Sequence, residues 1–254
     1  MSKLSKPGPR SKRRFLRDHT YPPVAMNLIF IVPARGGSKR LPRKNIRELA
    51  GKTLLGHTAS AIAESGLAGP VVLTTDDTGI AEEGRRLGWT VPFLRPPELA
   101  TDTATTESAV FHVLDWHRDT HGGRDPDALV LLQPTSPLRG GACIRDAVDM
   151  LLEDPSADGA VSMTSVHLPP AHFYTMESDG TASPLSQRHD APVYYPNGAV
   201  YAVRTASFRE RETFYGGKTK ILPMPAWRSI DIDTQEDWDI AEALLMRRST
   251  SPIL

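Results

Sequence analysis

Leu28–Val32 and Ala128–Leu132 are apolar at every position, and Val71–Thr75 nearly so. A strand with one wet face alternates apolar and polar residues. A continuous run is what a strand looks like when helices cover both faces of its sheet. Between these runs lie stretches with helical spacing, so the order is strand, helix, strand, and the fold class is α/β.

The pattern predicts helices over Thr53–Glu64, over Ile80–Leu87 with Gly88 as its stop, over Thr105–Trp116 and over Gly141–Leu152. In the third of these, Ala109, His112, Val113 and Trp116 share one face. Further strands are expected at Val91–Leu94, Ala160–Thr164, Ala199–Val203, Lys220–Leu222 and Ser229–Ile232. Thr234 opens a closing helix, with Asp237 completing an imperfect capping box. Residues 167–196 hold no period and are rich in Pro, His, Ser and Tyr. They read as a small inserted subdomain, because the α/β pattern resumes after them.

A length of 254 residues is enough to bury a sizeable core. With 39% hydrophobic and 24% charged residues, a disordered chain and a collagen-like repeat are excluded. The single cysteine, Cys143, allows no internal disulfide or thiolate cluster, which fits a reducing, cytoplasmic compartment. The chain is formally neutral, yet residues 1–24 carry seven basic side chains against Asp18 alone, and the remainder is net −6. Residues 1–26 are expected to form a disordered basic arm, and 27–254 the working domain. The body is acidic and has no basic face interleaved with aromatics, so neither a nucleic-acid nor a membrane partner is expected.

The chemistry concentrates after the first strand. Ala34-Arg35-Gly36-Gly37-Ser38-Lys39-Arg40-Leu41-Pro42-Arg43-Lys44-Asn45 brings two glycines, a serine and five cations to the carboxyl end of a buried strand, where open α/β sheets bind ligands. Glycines admit phosphate to backbone N–H groups and the cations supply counter-charge, so a polyanion site is expected. Gly51-Lys52-Thr53 is no phosphate loop of the Walker type, since Ile46 stands where its opening glycine belongs. Gly36-Gly37 does not extend to the dinucleotide fingerprint either. His57, His112, His117 and His121 show no ligand spacing.

This loop closely resembles the opening of the acylneuraminate cytidylyltransferase family, the CMP-sialic acid synthetases and their CMP-KDO relatives. Leu54–Thr58, Leu94–Thr103, Leu132–Arg139, Pro196–Tyr201 and Ser229–Thr234 resemble further blocks of that family in the family's order. The resemblance implies a Rossmann-like three-layer sandwich with a mostly parallel sheet, of the nucleotide-diphospho-sugar transferase kind. It implies transfer of CMP from CTP to an anionic acceptor, with release of pyrophosphate, and a homodimer.

By the same resemblance, Ala34, Arg35, Gly36, Gly37, Ser38, Lys39, Lys44 and Asn45 hold the triphosphate, with Arg35 and Lys44 in catalytic roles. Arg95 and the turn Ala100, Thr101, Asp102, Thr103 serve cytosine and ribose. Gln133, Ser136, Arg139, His172, Arg188, His189 and Asn197 are candidates for acceptor binding. Asp231 and Asp233 stand two apart on an expected strand, so their carboxylates share a face and suit Mg²⁺, or Mn²⁺ in its place.

The likeness weakens where acceptor contacts fall. Sialic-acid enzymes carry a lysine after a His-Pro pair and Arg-Gln before the Asn-Gly block; here the chain reads Leu168-Pro169-Pro170-Ala171-His172 and Arg188-His189. The default acceptor is a 2-keto sugar acid other than ordinary sialic acid, and the alternative a small phosphonate. A catalytically silent nucleotide-binding domain is the alternative of another class; such a domain is expected to lose Asp231, Asp233 or the loop cations.

Overall fold

The computed structural model describes residues 26–166, 173–176, 178, 181–184 and 192–250. Its centre is a six-stranded sheet of β1 (Leu28–Pro33), β4 (Val71–Thr74), β5 (Ala128–Leu131), β6 (Gly159–Ser165), β9 (Tyr194–Arg204) and β10 (Thr219–Pro223). They lie in the order β10-β6-β9-β5-β1-β4. All neighbours pair in parallel except β9, which runs antiparallel to both β5 and β6. The small strands β2 (Glu48–Leu49) and β3 (Lys52–Thr53) form a hairpin around Ala50 and Gly51, both at positive φ. β7 (Tyr174–Met176) and β8 (Ala182–Pro184) form a separate antiparallel ribbon within the stretch expected to be inserted. That stretch ends earlier than expected, since Tyr194–Pro196 already belong to β9.

The expected three layers are present. Leu28, Phe30 and Val32 of β1 face a core shared with α1 (Leu54–Ser65), α2 (Thr78–Arg86) and α4 (Gly141–Glu153). Ile29 and Ile31 face the other core, built on α3 (Thr106–Thr120) and α5 (Thr205–Arg211). Every residue from Leu28 to Val32 is buried, which is why the run shows no alternation. Helix starts follow local chemistry: Thr53, Asp77 and Thr105 each accept a hydrogen bond from a first-turn N–H.

Three readings need correction. Val91–Leu94 is not a strand; one bridge joins Val72 to Thr90, and Pro92 then lacks the N–H to continue a ladder. Ser229–Ile232 is irregular, preceded by a 3-10 turn at Ala226–Arg228. On α3 Ala109 and Val113 of the expected face are buried, but the stripe runs on through Val110, Leu114 and His117 rather than through His112 and Trp116, which are half-buried. α5 follows β9 directly and carries no strong period of its own.

The sheet positions the site. From β1 the chain crosses through α1 to β4 on one side, then returns through α3 to β5 on the other. The sheet order therefore reverses at β1 and β5, and a crevice opens beyond their carboxyl ends. A separate cluster of Leu41, Leu49, Leu54, Leu138, Ile232, Trp238 and Ala241 packs α6 (Gln235–Thr250) and the segment before it against the cationic loop.

His117 carries a pH prediction. It is 6% exposed, stacks flat on His121 with ring centroids 4.0 Å apart, and leaves Nδ1 without a partner among the described residues. Burial, and then the charge of His121, push its pKa below the ordinary value; burial lowers that of His57 as well. The unfolded chain therefore takes up these protons first, near pH 6.5, and stability held above that pH falls as pH drops. The thermal midpoint is expected to fall between pH 7.5 and 5.5, and His117→Gln should flatten that dependence. An unchanged slope in the variant would assign the effect elsewhere.

Candidate functional site

The crevice beyond β1 and β5 is a cleft of about 670 Å³. One wall is the cationic loop, with Arg35, Ser38, Lys39, Arg40, Lys44 and Asn45 in its lining. Asp231 and Asp233 adjoin it through Lys44, and Gln133 and Thr135 from the loop after β5 and Arg95, Thr101 and Asp102 complete the lining. Residues from four separate stretches of sequence thus converge.

Asp102 supplies counter-charge to Arg35 Nη1 at 3.2 Å and Lys39 Nζ at 2.5 Å, and Arg35 also donates to the Thr101 carbonyl. The hydrogen bond from Lys39, followed by its charge, holds the Asp102 carboxyl below the usual range. Lys44, 12% exposed, donates to the Ile232 carbonyl at 2.6 Å and to Asp233 Oδ1 at 2.8 Å; Arg40 lies 3.7 Å from the other Asp233 oxygen. Asn45 donates to the Arg35 carbonyl and pins the loop to itself.

Asp231 and Asp233 reach the cleft without a strand ladder. Ile232 between them is fully buried, and its N–H donates to the Thr135 carbonyl at 2.8 Å. That inward anchor turns its two neighbours outward together, so the shared face survives although the expected strand does not. Asp231 is open to the cleft by surface area, yet the surrounding protein removes enough water to raise its pKa. Repulsion from Asp233 adds to the rise, and a hydrogen bond from Thr135 opposes it. Thr234 and Asp237 cap α6 reciprocally, which leaves Asp231 and Asp233 free of that task. Among the described residues no group of three or more His, Cys, Asp or Glu gathers as a metal cage. Two mutually repelling carboxylates beside a cationic phosphate loop are nevertheless the donor set Mg²⁺ uses when substrate oxygens and water complete its shell.

Several candidates lie elsewhere. Arg139 is 4% exposed and donates to the carbonyls of Gln133 and Ala199 and to Thr58 Oγ1, tying β5, β9 and α1 together. Burial pushes its pKa down to about 10. Ser136 is fully buried and donates to the Asn197 carbonyl at 3.4 Å. Asn197 is spent on Ser162, Ser229 and Met224 in the interior. These three position the walls and are not part of the lining. Gly36 and Gly37 are also absent from it; the Gly36 N–H donates to Asp76 and that of Ser38 to the Gly36 carbonyl. Ala100 lines a neighbouring depression with Arg95, while Thr103 bonds Thr101. His172, Arg188 and His189 lie outside the described residues.

Thr135, Arg40 and Asp76 are site neighbours absent from the sequence candidates. Thr135 sits beside Ser136 in a proline-bracketed loop, where one points into the cleft and the other inward, and no spacing rule chooses between them. Asp76 had a usable signal, a carboxylate just past the carboxyl end of a strand.

Gly36 is constrained by its neighbour. A Cβ there would stand 2.8 Å from the Cβ of Asp77, the cap of α2. Gly36→Ala should push the loop off α2 at a cost of about 1–3 kcal/mol. Roughly tenfold weaker nucleotide binding by calorimetry, with a melting temperature lowered by about 2–12 °C, is the expected outcome.

A family model described as cytidylyltransferase matches residues 29–247. The chain is 35% identical over 228 residues to the CMP-N,N'-diacetyllegionaminic acid synthase of Legionella pneumophila, covering 87% of this chain and 97% of that protein. It is 33% identical over 222 residues to the N-acylneuraminate cytidylyltransferase of Streptococcus agalactiae, covering 84% of this chain but 52% of that longer protein. A structure of CMP:2-keto-3-deoxy-manno-octonic acid synthetase complexed with CTP superposes with a TM-score of 0.66 at 16% identity, over 87% of this chain and 99% of that one, a likeness of fold.

Proposed function

We propose, from the premise that this chain belongs to the cytidylyltransferase family and is a CTP-dependent nucleotidyltransferase, that its acceptor is a 2-keto sugar acid related to N,N'-diacetyllegionaminic acid. What supports the reading is the cleft itself, with Arg35, Lys39 and Lys44 on one wall and Asp231 and Asp233 adjoining it.

In the reaction an acceptor hydroxyl oxygen attacks the α-phosphorus of CTP, the bond to the bridging oxygen breaks, pyrophosphate leaves, and the hydroxyl proton passes to solvent. Charge gathers on the leaving group. Arg35, Lys39 and Lys44 offer fixed positive charge to it, exchanging their aspartate partners for phosphate oxygens. Asp231 and Asp233 would hold Mg²⁺ or Mn²⁺, which when bound polarises the reacting phosphate. Thr135 and the buried Ile232 keep the two carboxylates facing the cleft. Lys44, bonded to the 232–233 backbone and side chain, links the metal wall to the cation wall. A second copy of the chain as partner is part of the proposal.

The test is pyrophosphate release from CTP with a panel of acceptors. N,N'-Diacetyllegionaminate should be turned over faster than N-acetylneuraminate, and small phosphonates should give background. A clear preference for N-acetylneuraminate, or turnover of a phosphonate alone, would replace this acceptor class.

A further inference from the structure

Asp76 stands just past β4, outside the main cleft, and does three things there. Its Oδ1 accepts the Gly36 N–H at 2.9 Å. The rung before it is a backbone one, from the Ala34 N–H to the Thr74 carbonyl at 3.0 Å. Asp76 thus extends the β1–β4 ladder by a side chain, two residues into the cationic loop.

Its charge also acts on Arg95. That arginine is 8% exposed and is fastened to the same strand end: its N–H donates to the Thr75 carbonyl at 2.7 Å, Nε to Thr74 Oγ1 at 3.1 Å and Nη2 to the Thr74 carbonyl at 2.6 Å. Burial and the Arg35 charge disfavour the charged guanidinium, and the Asp76 carboxylate favours it. Third, Asp76 and Arg95 line one depression of about 560 Å³, whose Arg95 and Thr101 also line the main cleft. One carboxylate is therefore bonded to the start of the phosphate loop and shares a depression with the arginine on the adjoining wall.

We propose that Asp76 is a positioning residue for the nucleotide: it registers the cationic loop, through Gly36, and the Arg95 wall to the end of β4, so that both meet the same ligand in fixed relation. The proposal rests on the nucleotide reading of the cleft. Asp76 need not touch the ligand, and its loss should act on affinity rather than on the chemical step.

Two variants separate its two contributions. Asp76→Asn keeps an oxygen that accepts the Gly36 N–H but brings no charge to Arg95; Asp76→Ala removes both. Loss of a charged hydrogen bond predicts a rise in KM for CTP of about ten- to a hundredfold in the alanine variant, with a smaller rise in the asparagine variant. The value of kcat should stay within about threefold, and the acceptor KM and melting temperature close to the parent's. Titration calorimetry with inorganic pyrophosphate should show the same ranking, because it reads the loop without a base. If the alanine variant fails to fold, the asparagine variant and pyrophosphate carry the test. Parental affinity for pyrophosphate and CTP in the variants would overturn the proposal, as would a joint fall of kcat, both affinities and melting temperature. A parent that binds pyrophosphate but not CTP would instead overturn the nucleotide reading, with the pyrophosphate ranking still deciding the role of Asp76.

Discussion

Asp231→Asn and Asp233→Asn are expected to lower CTP turnover by at least ~10²-fold, the scale on which a lost electrostatic stabiliser at a reacting centre is felt. Asparagine keeps the size and shape of aspartate and removes the charge. The two variants should differ in a second readout. Asp231 is held ionised against desolvation and against Asp233, so its neutralisation should leave the melting temperature unchanged or higher. Asp233 partners Lys44 at 2.8 Å, and its neutralisation should raise the apparent affinity for metal-free pyrophosphate relative to Asp231→Asn, because the freed Lys44 is released toward the phosphates. Residual activity in both should require more Mg²⁺ than the parent. Near-parental turnover in both at saturating Mg²⁺ would remove these carboxylates from the reaction.

Arg139→Ala carries the largest expected effect on stability. The arginine is charged, fully enclosed, and satisfies two carbonyls and a hydroxyl from three different elements. Truncation leaves the Ala199 carbonyl and Thr58 hydroxyl without this donor, leaves Gln133 only the Ser136 N–H, and opens a cavity, at a cost of roughly 3–5 kcal/mol. At about 2–4 °C per kcal/mol for a chain of this size, the melting temperature should fall by about 6–20 °C. The protein that remains folded should keep its acceptor KM within about twofold, an order-of-magnitude expectation for a group outside the lining. A melting temperature within a few degrees of the parent, with a large rise in acceptor KM, would return Arg139 to the substrate.

These two predictions divide residues that the sequence placed in one group. Asp231 and Arg139 both belong to blocks that resemble the same family, and block membership says only that a residue matters to the shared design. The split arises from what surrounds each side chain. Arg139 is enclosed by the Gln133 and Ala199 carbonyls and the Thr58 hydroxyl, while Asp231 lines the cleft.

The one-dimensional facts were settled by the chain alone. Leu28–Val32 and Ala128–Leu132 specify strands covered on both faces, because only such strands can dispense with polar positions. Thr53, Thr105 and Thr234 start helices through their own hydroxyls, which act over three residues. The glycine-and-cation loop after β1 announces an anion site for the same reason, since its charges are close in sequence and must be close in space.

Tertiary structure decided whatever depends on partners far along the chain. Nothing local shows that β9 runs antiparallel between β5 and β6, because strand direction is set by the connection rather than by the residues in the strand. Ser229–Ile232 has a strand's composition and no ladder, because its backbone is drawn to Thr135 instead. Of Thr135 and Ser136 only Thr135 lines the cleft, and of Asp76 and Asp77 only Asp76 takes the Gly36 N–H while Asp77 caps α2; both choices are made by packing against residues far along the chain. Local chemistry acts over a few residues and is legible in order; orientation toward a common site is a long-range property, and it exists only once the sheet has assembled.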